Sequence, residues 1–218
     1  MKDPNLIQEV FKKAELIQHV FENTSDAFKI FREEAKNLTQ EFVNYGESIQ
    51  SKQKFEFKDR GEFEFEIRFG DDILIFLLHT NTFEFSRNHE VMKTQYIKED
   101  ANRSFCGVIN IYNFLRDSFD HHRENDLGYL IGRIFVNNES HYFIEGKREI
   151  GLLYNNFNTS VVNNDSVRGI IESAVSYASK FNLLTPPYDE VKVVSVSEMR
   201  AAAITGKRLG FRFQEDKD

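Results

Sequence analysis

Tryptophan is absent, cysteine occurs once and proline three times in 218 residues. The lone Cys106 excludes an intramolecular disulfide and a zinc site built from several cysteines, and such sparing use of cysteine suits a reducing compartment. Long apolar runs are missing too. The longest, Ile73 to Leu78, is far short of the ~20 residues that a membrane-spanning helix needs. Glu and Asp punctuate the first thirty residues, unlike a secretory signal. The expectation is a soluble cytoplasmic protein with no membrane partner. Basic charge is also in deficit: 28 Lys and Arg stand against 35 Asp and Glu, a net charge of −7, which argues against a general nucleic-acid binder.

One short segment departs from this balance. Between Ser197 and Gln214, Arg200, Lys207, Arg208 and Arg212 face a single acid, Glu198. These four residues form a candidate anion contact, the basis of a nucleic-acid-binding reading; a solvated helix edge would look the same.

The residues that are present favour a folded chain. Hydrophobic types make up 40% of the sequence, enough for a core, and Phe alone accounts for 22 residues. Asp3-Pro4 reads as an N-cap followed by proline at the first helical position. Beyond it, steps of three and four link Ile7, Val10, Ala14, Ile17, Phe21, Thr24, Phe28, Phe31, Ala35, Leu38, Phe42, Tyr45 and Ile49. Only Thr24 among them is polar, and the period of 3.5 is that of a coiled coil. The cap-type cluster Asn23-Thr24-Ser25-Asp26 leaves a helical hairpin as the rival, although the shared phase on both sides favours one continuous helix. Such a helix is ~60 Å long, whereas a compact chain of this size is roughly 45 Å across. Part of the stripe then overhangs and needs a cover, for which Val10, Ile17, Phe21, Phe28, Phe31, Leu38 and Phe42 are the candidate interface residues and a second copy the expected partner, antiparallel because large residues would meet small ones.

At Lys54 the period falls to two. Phe55, Phe57, Phe63, Phe65, Ile67 and Phe69 alternate with Glu56, Lys58, Glu62, Glu64, Glu66 and Arg68, predicting a hairpin with one core face and one wet face that turns at Asp59-Arg60-Gly61. Ile73–Leu78 reads as a central strand, and Thr82–Phe85 as its neighbour. Residues 104–115 read as strand or short helix, and 116–126 as a polar loop. A second meander covers Tyr129–Val136, His141–Glu145 and Ile150–Tyr154. A helix follows over Ser166–Phe181, capped by Asp165, then a last core strand over Val191–Val196 and a short helix from Ser197. The whole predicts an α+β fold: an antiparallel sheet of roughly eight strands with a C-terminal helix and a long N-terminal coiled-coil helix or hairpin. The division is 1–51 for the helical segment and 52–218 for the α+β domain. No internal repeat or low-complexity tract occurs.

Catalytic patterns are sparse. Asp126 precedes Glu145 and Lys147 by about twenty residues. Two carboxylates and a lysine at such spacing can hold Mg²⁺ and orient a water for phosphodiester hydrolysis. The trio is similar to the motif of the PD-(D/E)XK nucleases, a resemblance that implies a Mg²⁺-dependent nuclease. The chain departs from that motif in having no proline before Asp126, and Glu145 to Arg148 read as a hairpin turn. His121 and His122 are adjacent and would point to opposite faces of a strand, and His79 and His89 lack a third ligand at a metal-binding spacing. Cys106 reads as a small core residue, and Gly128 and Gly132 as a bulge or a close backbone approach. The expected function is therefore non-enzymatic: an interaction or regulatory protein that self-associates through its N-terminal helix and offers its sheet or its basic C-terminal segment to a macromolecule, with no cofactor unless the nuclease alternative brings Mg²⁺.

Overall fold

The computed structural model describes residues 4–146, 156–181, 185 and 187–205. They form an α+β fold, in which one long helix and a seven-stranded antiparallel sheet supply most of the regular secondary structure. Asp3, Lys147 and the expected strand at 150–154 lie outside the described residues.

Helix α1 (Pro4–Ser48) runs unbroken through residues 23–26, so the hairpin alternative is excluded. Three of the four cap-type side chains there have partners that leave the helical N–H groups alone. Asn23 donates through Nδ2 to Asn138 O at 2.8 Å and to Asn137 O at 3.3 Å. The Thr24 hydroxyl donates to Val20 O at 2.7 Å, and Asp26 pairs with Lys29 at 2.7 Å. Polar residues that break an isolated helix are tolerated when tertiary contacts satisfy them. The helix ends near Gly46, where Ser51 N–H closes onto the Gly46 carbonyl at 2.9 Å and Gln50 turns left-handed at φ 55°.

The strands are β1 (Phe55–Asp59), β2 (Glu64–Phe69), β3 (Asp72–Leu78), β4 (Phe83–Glu84), β5 (Phe105–Leu115), β6 (Tyr129–Asn137) and β7 (Tyr142–Gly146), ordered β1-β2-β3-β5-β6-β7. The residues at 104–115 resolve as the long central strand β5, whose β-branched content decides against a helix. The expected neighbour of β3 at 82–85 is instead the two-residue β4, paired with the far end of β5. Period two places Phe65, Ile67, Phe69, Leu74, Phe76, Ile109, Ile111, Ile134 and Ile144 on one face, where they meet Phe28, Phe31, Ala35 and Leu38 of α1 and the inward side of α4 (Asn164–Ala178). Much of the phenylalanine content has its explanation in this layer. Phe65 of β2 stacks on Phe76 of β3 at 4.6 Å, and Phe42 of α1 stacks on Phe55 of β1 at 4.6 Å. Fully burying one such ring contributes about 1.5–3 kcal/mol.

Ion pairs lock the helices to the sheet. Arg32 reaches Asp59 at 3.1 Å and donates to the Gly61 and Glu62 carbonyls, pinning the β1–β2 turn, while Arg168 of α4 grips Glu41 of α1 through both carboxylate oxygens. The opposite face of the sheet is drier than its alternating charges suggest. Glu66 is wholly buried between Arg60 at 2.9 Å and Arg68 at 2.5 Å, and Arg68 continues to Asp120 at 3.2 Å. Pairing lets these charges leave water where isolated ones would not. Asp120 belongs to α3 (Arg116–Asp120), which follows the short α2 (Gln95–Glu99) and is one helical turn in the stretch read from sequence as loop.

Two further details differ from the sequence reading. The cap of α4 is Asn163, not Asp165, in a reciprocal pair with Ser166. Residues 191–196 form no strand: Val193 and Val194 are exposed between one turn of helix, α5 (Tyr188–Val191), and α6 (Val196–Thr205). A capping box explains α6, since Ser195 Oγ accepts Glu198 N–H at 3.1 Å and Glu198 Oε2 accepts Ser195 N–H at 2.6 Å.

Candidate functional site

The apolar stripe of α1 divides at Val20. From there to Leu38 it packs against the chain's own sheet, so Phe28 (2% exposed), Phe31 (0%) and Leu38 (4%) belong to the core and offer nothing to a partner. Phe21 and Phe42 are half-buried, Phe42 against Phe55. Of the seven interface candidates only Val10 and Ile17 are open to solvent, at 58% and 40%. Leu6, Ile7 and Phe11, outside that set, are exposed beside them. Residues 5–19 are exposed except for half-buried Leu16, and at 1.5 Å per residue they project over about 22 Å. Two contacts mark the corner where this projection leaves the sheet. The Thr82 hydroxyl donates to the Ile17 carbonyl at 3.4 Å, and the Lys13 ammonium sits 3.1 Å above the Phe105 ring.

The carboxylates of the nuclease reading are not brought together. Asp126 accepts from Ser118 Oγ at 2.7 Å and pairs with Arg123 at 3.0 Å in the segment that follows β5. Glu145 stands within β7, not in a turn, directly opposite Arg133 of β6. Its Oε2 is taken by Arg133 and its Oε1 by His89 Nε2 at 3.0 Å. The two acids share no partner, and each is already neutralised by an arginine. Among the described residues no three His, Cys, Asp or Glu side chains cluster closely enough to hold a metal ion. Lys207, Arg208 and Arg212 fall outside the described residues, as Lys147 does; Arg200 is exposed on α6.

Sequence spacing gave no sign of the polar chain Arg133–Glu145–His89, because its members come from three separate segments. His89 Nδ1 accepts the Val91 N–H at 3.3 Å, so the ring proton resides on Nε2 and is donated to Glu145. With both nitrogens engaged, His89 acts as the cap of the short 3-10 turn Glu90–Lys93, not as a free base. Beside it opens a cavity of about 370 Å³ lined by His89, Glu90, Val91, Thr94, Phe143 and Phe157. Asn156 and Asn158 complete a lining that mixes aromatic and polar side chains, and among the described residues no nucleophile with an adjacent base faces it. A second network ties the β6–β7 turn to the segment before β5. Tyr96 donates its hydroxyl to Glu139 Oε2 at 2.7 Å and accepts from Asn137 Nδ2 at 2.9 Å, while Arg103 holds Glu139 Oε1 at 2.9 Å. Burial pushes the Tyr96 phenol well above its ordinary value. Partial burial works against ionised Glu139, yet Tyr96 and Arg103 together hold its carboxyl below the usual range. Cys106 is wholly buried, and burial pushes its thiol up, away from reactivity.

Among the described residues no helix is long and apolar enough to cross a membrane. Compared with protein-family models, curated proteins and solved structures, the chain matches none.

Proposed function

We propose that this chain is a non-enzymatic interaction protein that self-associates through the projecting part of α1 and presents its sheet or its basic C-terminal segment to a macromolecular partner. The supporting observation is that Ile7, Val10 and Ile17 continue, exposed, the stripe that the sheet covers further along the same helix, with Leu6 and Phe11 exposed on either side of it. An apolar patch of several hundred Å² on a projecting element marks an association site more often than a bare surface. The engaged state of Asp126, Glu145 and His89 favours this reading over turnover chemistry, which needs convergent groups that are free to act.

Sedimentation equilibrium across a hundredfold range of concentration tests it. The expected result is a species of twice the 25.6 kDa chain mass that falls to the monomer when Val10→Glu and Ile17→Glu are combined, with helical circular dichroism retained. A wild-type chain that stays monomeric throughout, with its helix intact, overturns the reading.

A further inference from the structure

We infer that the second copy pairs antiparallel along residues 5–19, about a two-fold axis beside Lys12, so that the two sheets stand at opposite ends of the assembly; this rests on the self-association proposed above. Three observations carry it. The exposed part of the stripe runs from Ile7 to Ile17, short of Val20, the first residue buried against the sheet, and Lys12 lies midway between Ile7 and Ile17. Laid antiparallel about that point, the exposed stripe of one chain meets the exposed stripe of the other along its whole length.

Packing favours the same orientation. About Lys12, Ile7 of one copy meets Ile17 of the other, and Val10 meets Ala14, so every layer combines unlike heptad positions. A parallel pair in register would set Ala14 against Ala14 and leave a gap in the middle of a short seam, which costs stability. Sterics add a third argument. The sheet occupies the same helix face from Val20 onward, and its corner at Thr82 and Phe105 reaches back to Ile17 and Lys13. A parallel partner would carry its own corner to the same level on that face, whereas an antiparallel one brings only a helix tip. Exposed Phe83, next to Thr82, then lies where the tip of the second copy arrives. Complete cover of the exposed side chains on both copies removes at most about 1,000 Å² from water, the lower bound of a specific interface. The assembly becomes a two-ended connector, with the mid-points of its two sheet-packed helical segments about 50 Å apart along the helix axis.

Pulsed electron–electron dipolar spectroscopy on the full chain tests the arrangement, with a nitroxide at Lys29→Cys. Lys29 is exposed and lies mid-way along the sheet-packed part of α1, and buried Cys106 escapes the label. An inter-label distance of about 50 Å is expected, from a rise of 1.5 Å per residue. A dimer with a distance below about 30 Å, the span of two labels side by side on parallel helices, overturns the antiparallel arrangement and leaves self-association standing. Absence of any inter-label distance together with monomeric sedimentation overturns both.

Discussion

Thr24 of α1 rests directly on the bare α-carbon of Gly107 in β5: a methyl group at that carbon would lie 2.2 Å from Thr24 Oγ1 and 2.7 Å from Thr24 Cβ. Only glycine lets the helix lie this close to the sheet, and the polar member of the stripe stands where the two backbones come nearest. Gly107→Ala is expected to lift α1 and to destabilise the fold by about 1–3 kcal/mol, as overpacking does. Thr24→Ala removes two of the three crowding atoms, so the double variant should lose less than the sum of the singles. Urea unfolding of the four chains measures this coupling, and strict additivity would show that helix and sheet do not press on each other here.

The Tyr96 hydroxyl stands between Asn137 and Glu139, and Asn137 is wholly buried. Tyr96→Phe leaves the Asn137 amide only the more distant Arg103 carbonyl at 3.4 Å and takes the donor from Glu139 Oε2. The expected cost is about 1–3 kcal/mol, the penalty for orphaning a buried polar group. Thermal unfolding reads the loss. Because Arg103 still holds Glu139, amide exchange should quicken in the 137–141 turn rather than throughout the sheet.

The parts of this fold that could be read from the sequence are those where one period runs long enough to decide. The 3.5-residue stripe gave a single long helix, and the alternation at 55–69 gave the first hairpin with its turn and its helix-facing side. What the stripe could not say is who covers it. A helix packed on its own sheet and a helix packed on a second copy bury the same positions, so Phe28, Phe31 and Leu38 looked equivalent to Val10 and Ile17. Alternation likewise assigned Glu66 and Arg68 to the outer face without revealing that Arg60 and α3 close over them. The valines at 191–196 show the reverse failure. Their β-branched character argued for a strand, but the capping box at Ser195 and Glu198 starts a helix there, a local signal in the sequence that the composition masked. The Arg133–Glu145–His89 chain was out of reach, since only folding brings those three together.

Asp72 begins β3 on the helix-facing side of the sheet, where burial raises its carboxyl to about 6; the Asn113 amide opposes the shift and the neighbouring Asp71 charge adds to it. Asn113 is itself buried, with an Oδ1 that has no hydrogen-bond partner among the described residues. In the unfolded chain Asp72 should titrate near 4. Between about pH 4 and pH 6 the folded state therefore holds more protons than the unfolded state, and by linkage stability falls as pH rises through this window. Above pH 6 the penalty is complete, and below pH 4 it vanishes. Asp72→Asn removes the charge and brings a second amide beside Asn113, so it should stabilise the protein at pH 7 by about 1 kcal/mol, a figure reduced for the partial access of water. The measurement is chemical unfolding of both chains from pH 4 to pH 8. The advantage of the variant should be absent at the acid end and grow to a plateau above pH 6; a constant difference across the range would place its origin in packing instead of charge.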